Sequence, residues 1–184
     1  ELSYVDGTLA IDKADQLITF EALEARTFGD ASFDLAASVD SGLGLSYATS
    51  DEAVATIEGS TVTIVGAGTA TITATQAGST NYHAAEASQE LTVNKAAQTI
   101  TFESIENQVL STSSVTLTAI ASSGLTVGYE VSGPAKLAGT TLTFTGAGDI
   151  TVTASQAGNV NYMAATALPR TFTVTDDTPV DPVK

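Results

Sequence analysis

Gly66-Ala67-Gly68-Thr69-Ala70-Thr71-Ile72-Thr73-Ala74-Thr75-Gln76-Ala77-Gly78-Ser79-Thr80-Asn81-Tyr82 returns, 80 positions on, as Gly146-Ala147-Gly148-Asp149-Ile150-Thr151-Val152-Thr153-Ala154-Ser155-Gln156-Ala157-Gly158-Asn159-Val160-Asn161-Tyr162. The chain is therefore a tandem repeat, and one repeat is one folding unit. In the first copy Ala70, Ile72 and Ala74 alternate with Thr71, Thr73 and Thr75. That period of two predicts a strand with one face packed inward and one face wet. The glycines at 66 and 68 predict a tight turn before it, because glycine reaches positive φ at little steric cost.

Working outward, Gln16 and Gln98, Phe20 and Phe102, Leu35 and Leu117, and Tyr47 and Tyr129 lie 82 apart, so the repeat covers whole modules. Short β-type segments separated by turn residues predict an all-β fold of two tandem immunoglobulin-like, seven-stranded β-sandwiches. In the first, strands are expected at 16–20, 32–38, 45–49, 54–58, 61–65, 69–76 and 88–94, with Glu58-Gly59-Ser60 as a hairpin turn. The domain boundaries are residues 14–94 and 95–175. Residues 1–13 read as the end strand of a preceding module or a linker, with Asp6-Gly7 as its turn, and 176–184 as an acidic, proline-bearing, disordered tail. The drop in offset from 82 to 80 puts a two-residue deletion near Ser132-Gly133-Pro134, opposite Ser50-Asp51-Glu52, and so in a surface loop. A one-residue insertion around Leu168-Pro169 predicts an edge bulge before the last strand.

Six Lys and Arg face 21 Asp and Glu, a net charge of -15 that repels phosphate backbones and anionic membranes. Nucleic acid is excluded as a partner on that ground. The acidity is uneven. Residues 14–94 hold eleven acids against Arg26, a balance of -10, whereas 95–175 hold four acids against three cations, a balance of -1. The common fold does not require the charge. Cysteine is absent, so neither disulfides nor thiol chemistry contribute. No apolar run approaches 18 residues and no charged-then-apolar leader occurs, so membrane insertion is not expected.

The run Val54-Ala55-Thr56-Ile57-Glu58-Gly59-Ser60-Thr61-Val62-Thr63-Ile64, followed by Gly66 to Ala74, resembles the bacterial Ig-like (group 2-like) repeats of large surface adhesins. The opening Gln98-Thr99-Ile100-Thr101-Phe102 and the Gln-Ala-Gly-x-x-Asn-Tyr-x-Ala-Ala loop fit the same kind of array. Tyr4-Val5-Asp6-Gly7-Thr8-Leu9 is similar to the end of the related MBG-like repeats. Module two departs from the pattern where Ala135-Lys136-Leu137 replaces Val-Ala-Thr-Ile. The resemblance implies secreted, extracellular modules at a bacterial cell surface, acting in cell adhesion as spacers that present a distal binding domain. The partners it implies are neighbouring modules of the same chain and a host or surface glycan or protein, with the chain itself a monomer. A ligand-binding module, or an accessory segment of a multidomain exported enzyme, is the alternative.

Candidate chemistry is sparse. His83 is the single histidine and Met163 stands at its equivalent position, so a catalytic or metal role is disfavoured. No Gly-x-Ser-x-Gly elbow occurs, and Gly66 to Thr71 lacks the third glycine and the helix of a dinucleotide site. Carboxylate pairs can be drawn, but tryptophan is absent and most acids vanish in the second copy. The chain is read as a non-enzyme, with no catalytic, cofactor-binding or metal-ligating residue assigned. The sharpest metal candidate is calcium near Asp30, Asp51 and Glu52, beside the Asn94-Lys95 junction, with a solvated acidic face preferred. Phe20, Phe102, Tyr47, Tyr129, Ile64 and Phe144 read as core anchors. Thr71, Thr73 and Thr75, with Thr151, Thr153 and Ser155, form hydroxyl rows. Asn81-Tyr82 and Asn161-Tyr162 are expected to order their loops and plug the sandwich ends. The Gly66–Gly68 turn is further expected to approach the Asn161-Tyr162 loop at the junction, with Asn81-Tyr82 facing a preceding module in the same way.

Overall fold

The computed structural model describes Gly7 and residues 10–178, and divides into two compact units between Lys95 and Ala96. The run around Asp6-Gly7 lies almost wholly outside the described residues, as does the tail beyond Thr178. Module 1 holds β1 (Ile18–Phe20), β2 (Arg26–Thr27), β3 (Phe33–Asp34), β4 (Ala37–Val39), β5 (Ser46–Thr49), β6 (Ala55–Glu58), β7 (Thr61–Ile64), β8 (Gly68–Gln76) and β9 (Ala85–Asn94). Module 2 holds β10 (Ile100–Thr101), β11 (Gln108–Val109), a 3-10 turn at Leu110–Thr112, β12 (Ser114–Thr116), β13 (Ile120–Ala121), β14 (Gly128–Ser132), β15 (Ala135–Ala138), β16 (Thr141–Phe144), β17 (Gly148–Ser155) and β18 (Leu168–Thr175).

One sheet of module 1 has the order β2-β9-β8-β5. The other is made of β3-β7-β6 and the pair β1-β4. The nine segments form seven strands because the first two are each broken. The first pairs antiparallel with β4 through β1, then crosses to run parallel to β9 through β2. The second is interrupted at Leu35-Ala36, where the Leu35 N–H still reaches the Ser60 carbonyl at 2.8 Å. Module 2 repeats this order with β11-β18-β17-β14 in one sheet and β12-β16-β15 and β10-β13 in the other. Each module is an immunoglobulin-like β-sandwich.

The alternation of Ala70, Ile72 and Ala74 with threonines builds the core. Ala70, Ile72 and Ala74 of β8 are buried while Thr69 and Thr71 are exposed. They meet Leu91 and Val93 of β9 and, from the facing sheet, Ile18, Phe20, Leu35 and Val62. Module 2 places Ile150, Val152, Phe172, Val174, Phe102 and Leu142 in the same way. Burying one such large side chain contributes about 1.5–3 kcal/mol. The aromatic anchors meet as expected, with ring centroids 6.2 Å apart for Phe20 and Tyr47 and 5.7 Å for Phe102 and Tyr129. Gly59 and Gly68 carry the positive φ, at 62° and 155°, whereas Gly66 does not.

Three features differ from expectation. The two-residue strands β2 and β11 are too short to show a period, and only their parallel partner strands make them strands. β9 starts at Ala85, three residues early, because β8 continues to pair with it as far as Gln76. The bulge at Pro169 is absent: β17 and β18 keep one register from Gly148↔Val174 to Ala154↔Leu168. Thr173, on the same side of β18, turns its N–H outward to the Asn107 carboxamide at 2.9 Å. The missing donor of Pro169 therefore points to the free edge, where proline is tolerated. Ala135-Lys136-Leu137, despite its departure from the repeat, forms β15 on β16.

At the end of module 2, Asp177 accepts hydrogen bonds from the Ser111 hydroxyl and, at 3.0 Å, its N–H. These bonds hold the carboxyl below the usual carboxylate range. Because they favour the anion, the contact is complete at neutral pH and is lost as pH falls through that lowered value. The Ser111 amide resonance should therefore titrate with a midpoint below that of an ordinary aspartate and become flat in Asp177→Asn. A midpoint at the ordinary value would mean that the contact is not kept in solution.

Candidate functional site

The side chains that the repeat preserves most clearly converge at the start of each module. Gln16 Nε2 donates to Gln76 Oε1 at 2.7 Å and to the His83 carbonyl at 2.6 Å, while Ser41 Oγ donates to Gln16 Oε1 at 2.5 Å. Gln98 Nε2 donates to Gln156 Oε1 at 2.9 Å and to the Met163 carbonyl at 2.7 Å, and Ser123 donates to Gln98 Oε1. Gln76 and Gln98 are each 7% exposed, the buried polar side chains among the described residues. Burial requires such amides to be bonded, and here three of the four bonding positions of Gln16 and Gln98 are used.

Main-chain bonds complete the clasp. Ala14 donates to the Asn81 carbonyl at 2.8 Å and accepts from the His83 N–H at 2.9 Å. Ala96 does the same with Asn161 and Met163, both at 2.9 Å. The incoming chain is thus stitched to the loop after β8 or β17 before its first strand begins. Inside that loop Ser79 Oγ accepts from the N–H groups of Asn81 and Tyr82, and Asn159 Oδ1 from those of Asn161 and Tyr162. Tyr82 and Tyr162 are half-buried. Glycine is required at 78 and 158, where φ is 86° and 78°. A Cβ on Gly158 would lie 2.7 Å from Met163 C and 2.9 Å from Ala164 N, and against the Tyr162 carbonyl.

This explains the His83-to-Met163 exchange. The module uses the backbone of that residue on both its N–H and C=O, while the side chain is exposed in both copies. Sequence reasoning used Gln16 and Gln98 only to align the repeats. The signal for their role was there, since Gln16, Ser41 and Gln76 all recur as Gln98, Ser123 and Gln156, but nothing in the spacing says that three distant segments meet. The Gly66–Gly68 turn lies within module 1 at the end of β9, with Gly68 opposite Val93, and the Asn161-Tyr162 loop lies within module 2 beside Ala96.

The calcium candidate does not assemble. Asp30 Oδ2 accepts from the Thr27 N–H at 2.8 Å and Asp51 Oδ1 from the Ala53 N–H at 2.9 Å, each carboxylate capping its own turn. Among the described residues no group of three or more His, Asp or Glu is arranged to hold a metal ion. Asp30, Asp51 and Glu52 are thus not brought together as ligands. One hydroxyl of each row is engaged sideways: Thr73 bonds Ser88 at 2.9 Å and Thr151 bonds Thr171 at 2.8 Å. No helix of the described residues is long and apolar enough to cross a membrane.

Strand order and clasp together define a tandem of immunoglobulin-like sandwiches. No family model matches the chain, and no curated protein matches it. Solved structures with which it aligns include Drosophila N-cadherin EC1-4, at 12% identity and a TM-score of 0.40 over 90% of this chain and 50% of that one. Another is a SusE-like surface located polysaccharide binding protein from the Bacteroides thetaiotaomicron heparin utilisation locus, at 15% and 0.30 over 88% and 34%. A third is surface layer protein SbsC, domains 4-9, at 17% and 0.30 over 88% and 31%. The chain spans half or less of the length of these structures, and its architecture rests on its own strand order.

Proposed function

We propose that the two modules are structural spacers in the stalk of an extracellular bacterial surface adhesin, carrying a distal binding domain away from the cell. One observation carries this reading: the polar chemistry that both copies keep is turned inward, onto the module's own chain. Gln16, Ser41 and Gln76 and their counterparts hold the first strand to a loop, whereas the exposed side chain at the centre of the clasp changes freely from His83 to Met163. A stalk module needs its first and last strands secured, since tension reaches it through them. The clasp secures the first, and the parallel pairs β2-β9 and β11-β18 secure the last. The role is non-catalytic, the immediate partners are neighbouring modules of the same chain, and the net charge of -15 keeps adjacent stalks apart. Small-angle scattering of the chain tests the reading. An elongated, monomeric pair is expected, and a compact side-by-side pair would overturn it.

A further inference from the structure

The two copies differ at one strand edge. Among the described residues β4 pairs only with β1, and the Asp40 N–H bonded to the Leu17 carbonyl at 3.2 Å sets which residues face that partner. In an antiparallel ladder the groups alternate. Ala37 and Val39 therefore turn their N–H groups away from β1. In module 2 the equivalent Ala119 N–H is capped by the Tyr129 hydroxyl at 2.7 Å. In module 1 neither Ala37 N–H nor the Tyr47 hydroxyl is hydrogen-bonded to a described residue. Between them opens a cavity of about 350 Å³, lined by Ala37, Val39, Leu43, Leu45 and Tyr47 among others.

Acids found in this copy alone lie at the two ends of this edge. Asp40 follows β4, and Asp34 and Glu58 lie at the Leu35–Ser60 contact below it. Module 2 has Ser122, Thr116 and Ala138 at these places. Unpaired main-chain donors along a strand edge, an open hollow beside them lined by main chain and by Val39, Leu45 and Tyr47, and acids at both ends suit one class of partner. We propose that the β4 edge of module 1 is a strand-addition site for an extended peptide segment that seats an apolar residue among Val39, Leu45 and Tyr47 and carries lysine or arginine on either side. Bonds from the Ala37 and Val39 N–H groups to carbonyls of the segment supply affinity, the hollow selects the side chain, and the acids orient the segment and speed its approach. The site is independent of the spacer reading.

The probe is a fluorescent peptide, Arg-Thr-Val-Thr-Val-Lys, titrated into the whole chain with amide shifts followed by NMR. Shifts confined to Ala37–Val39 and Leu43–Tyr47 are expected, with none at Ala119–Ala121. Amide-to-ester replacement in the peptide, which weakens the carbonyls that accept from Ala37 and Val39, should weaken binding about fivefold for each bond affected. Asp40→Asn should weaken it at low salt and leave binding at about 1 M salt little changed. Equal shifts in both modules, undiminished binding of the ester-substituted peptide, or no saturation at millimolar peptide would overturn the proposal. So would an oligosaccharide that displaces the peptide from the same residues.

Discussion

Leu142→Ala is expected to destabilise module 2 by about 3–5 kcal/mol, the upper range for a leucine removed from a core. Leu142 is fully buried and central to its sheet, opposite Val115 of β12 on one side and Leu137 of β15 on the other. Strands on both flanks and the facing sheet hold its surroundings in place, so the cavity would collapse little. In a module of this size each kcal/mol moves the melting temperature by roughly 4–8 °C, which makes the expected fall at least about 12 °C. Denaturant unfolding followed by amide exchange would separate the copies: protection of Ile150 and Val152 should drop, while that of Ile72 and Leu91 stays. A loss below about 1 kcal/mol would mean that β16 is not the centre of that sheet.

Gln98→Ala is expected to cost module 2 about 2–4 kcal/mol, although it removes no large apolar surface. It leaves the Met163 carbonyl without its donor and the Ser123 hydroxyl without its acceptor, and Gln156 Oε1 with the Gly158 N–H alone. A buried polar group left unsatisfied costs about 1–3 kcal/mol. The effect should also be local. Hydrogen exchange at Ala96 and Met163, whose amides close the clasp, should accelerate about 100-fold, more than at β17 or β18. Uniform acceleration across the module would reduce the clasp to one contact among many and remove the main support for the spacer reading. Gln16→Ala should act in the same way on module 1 at Ala14 and His83.

The parts that were legible without coordinates share a physical cause. The core strands announce themselves because sheet periodicity is local: Ala70, Ile72 and Ala74 must share a face whatever surrounds them. The repeat offsets added registration between the copies, which marked Phe20, Tyr47 and their counterparts as core and put the deletion at Gly133-Pro134, the connection between β14 and β15, although Ser132 itself closes β14. The parts that were missed depend on pairing across distance. Arg26-Thr27 is a strand only because Val93-Asn94 runs beside it, and Pro169 avoids a bulge only because its nitrogen faces outward. Asp30, Asp51 and Glu52 looked like one site because loop positions in a sandwich can coincide, yet Asp30 and Asp51 each bond an N–H of their own turn first.

The same division runs through the clasp. By itself the sequence determined that there are two like modules, that each is an all-β sandwich, which faces are buried and that His83 is replaceable, because these follow from local alternation and from comparing one copy with the other. Only the tertiary structure decided that Gln16, Ser41 and Gln76 meet, that the backbone of residue 83 rather than its imidazole is used, and that Tyr129 closes an edge which Tyr47 leaves open. Those outcomes turn on hydrogen-bond geometry between segments 25 to 67 residues apart, to a fraction of an ångström, and no local pattern in the chain encodes it.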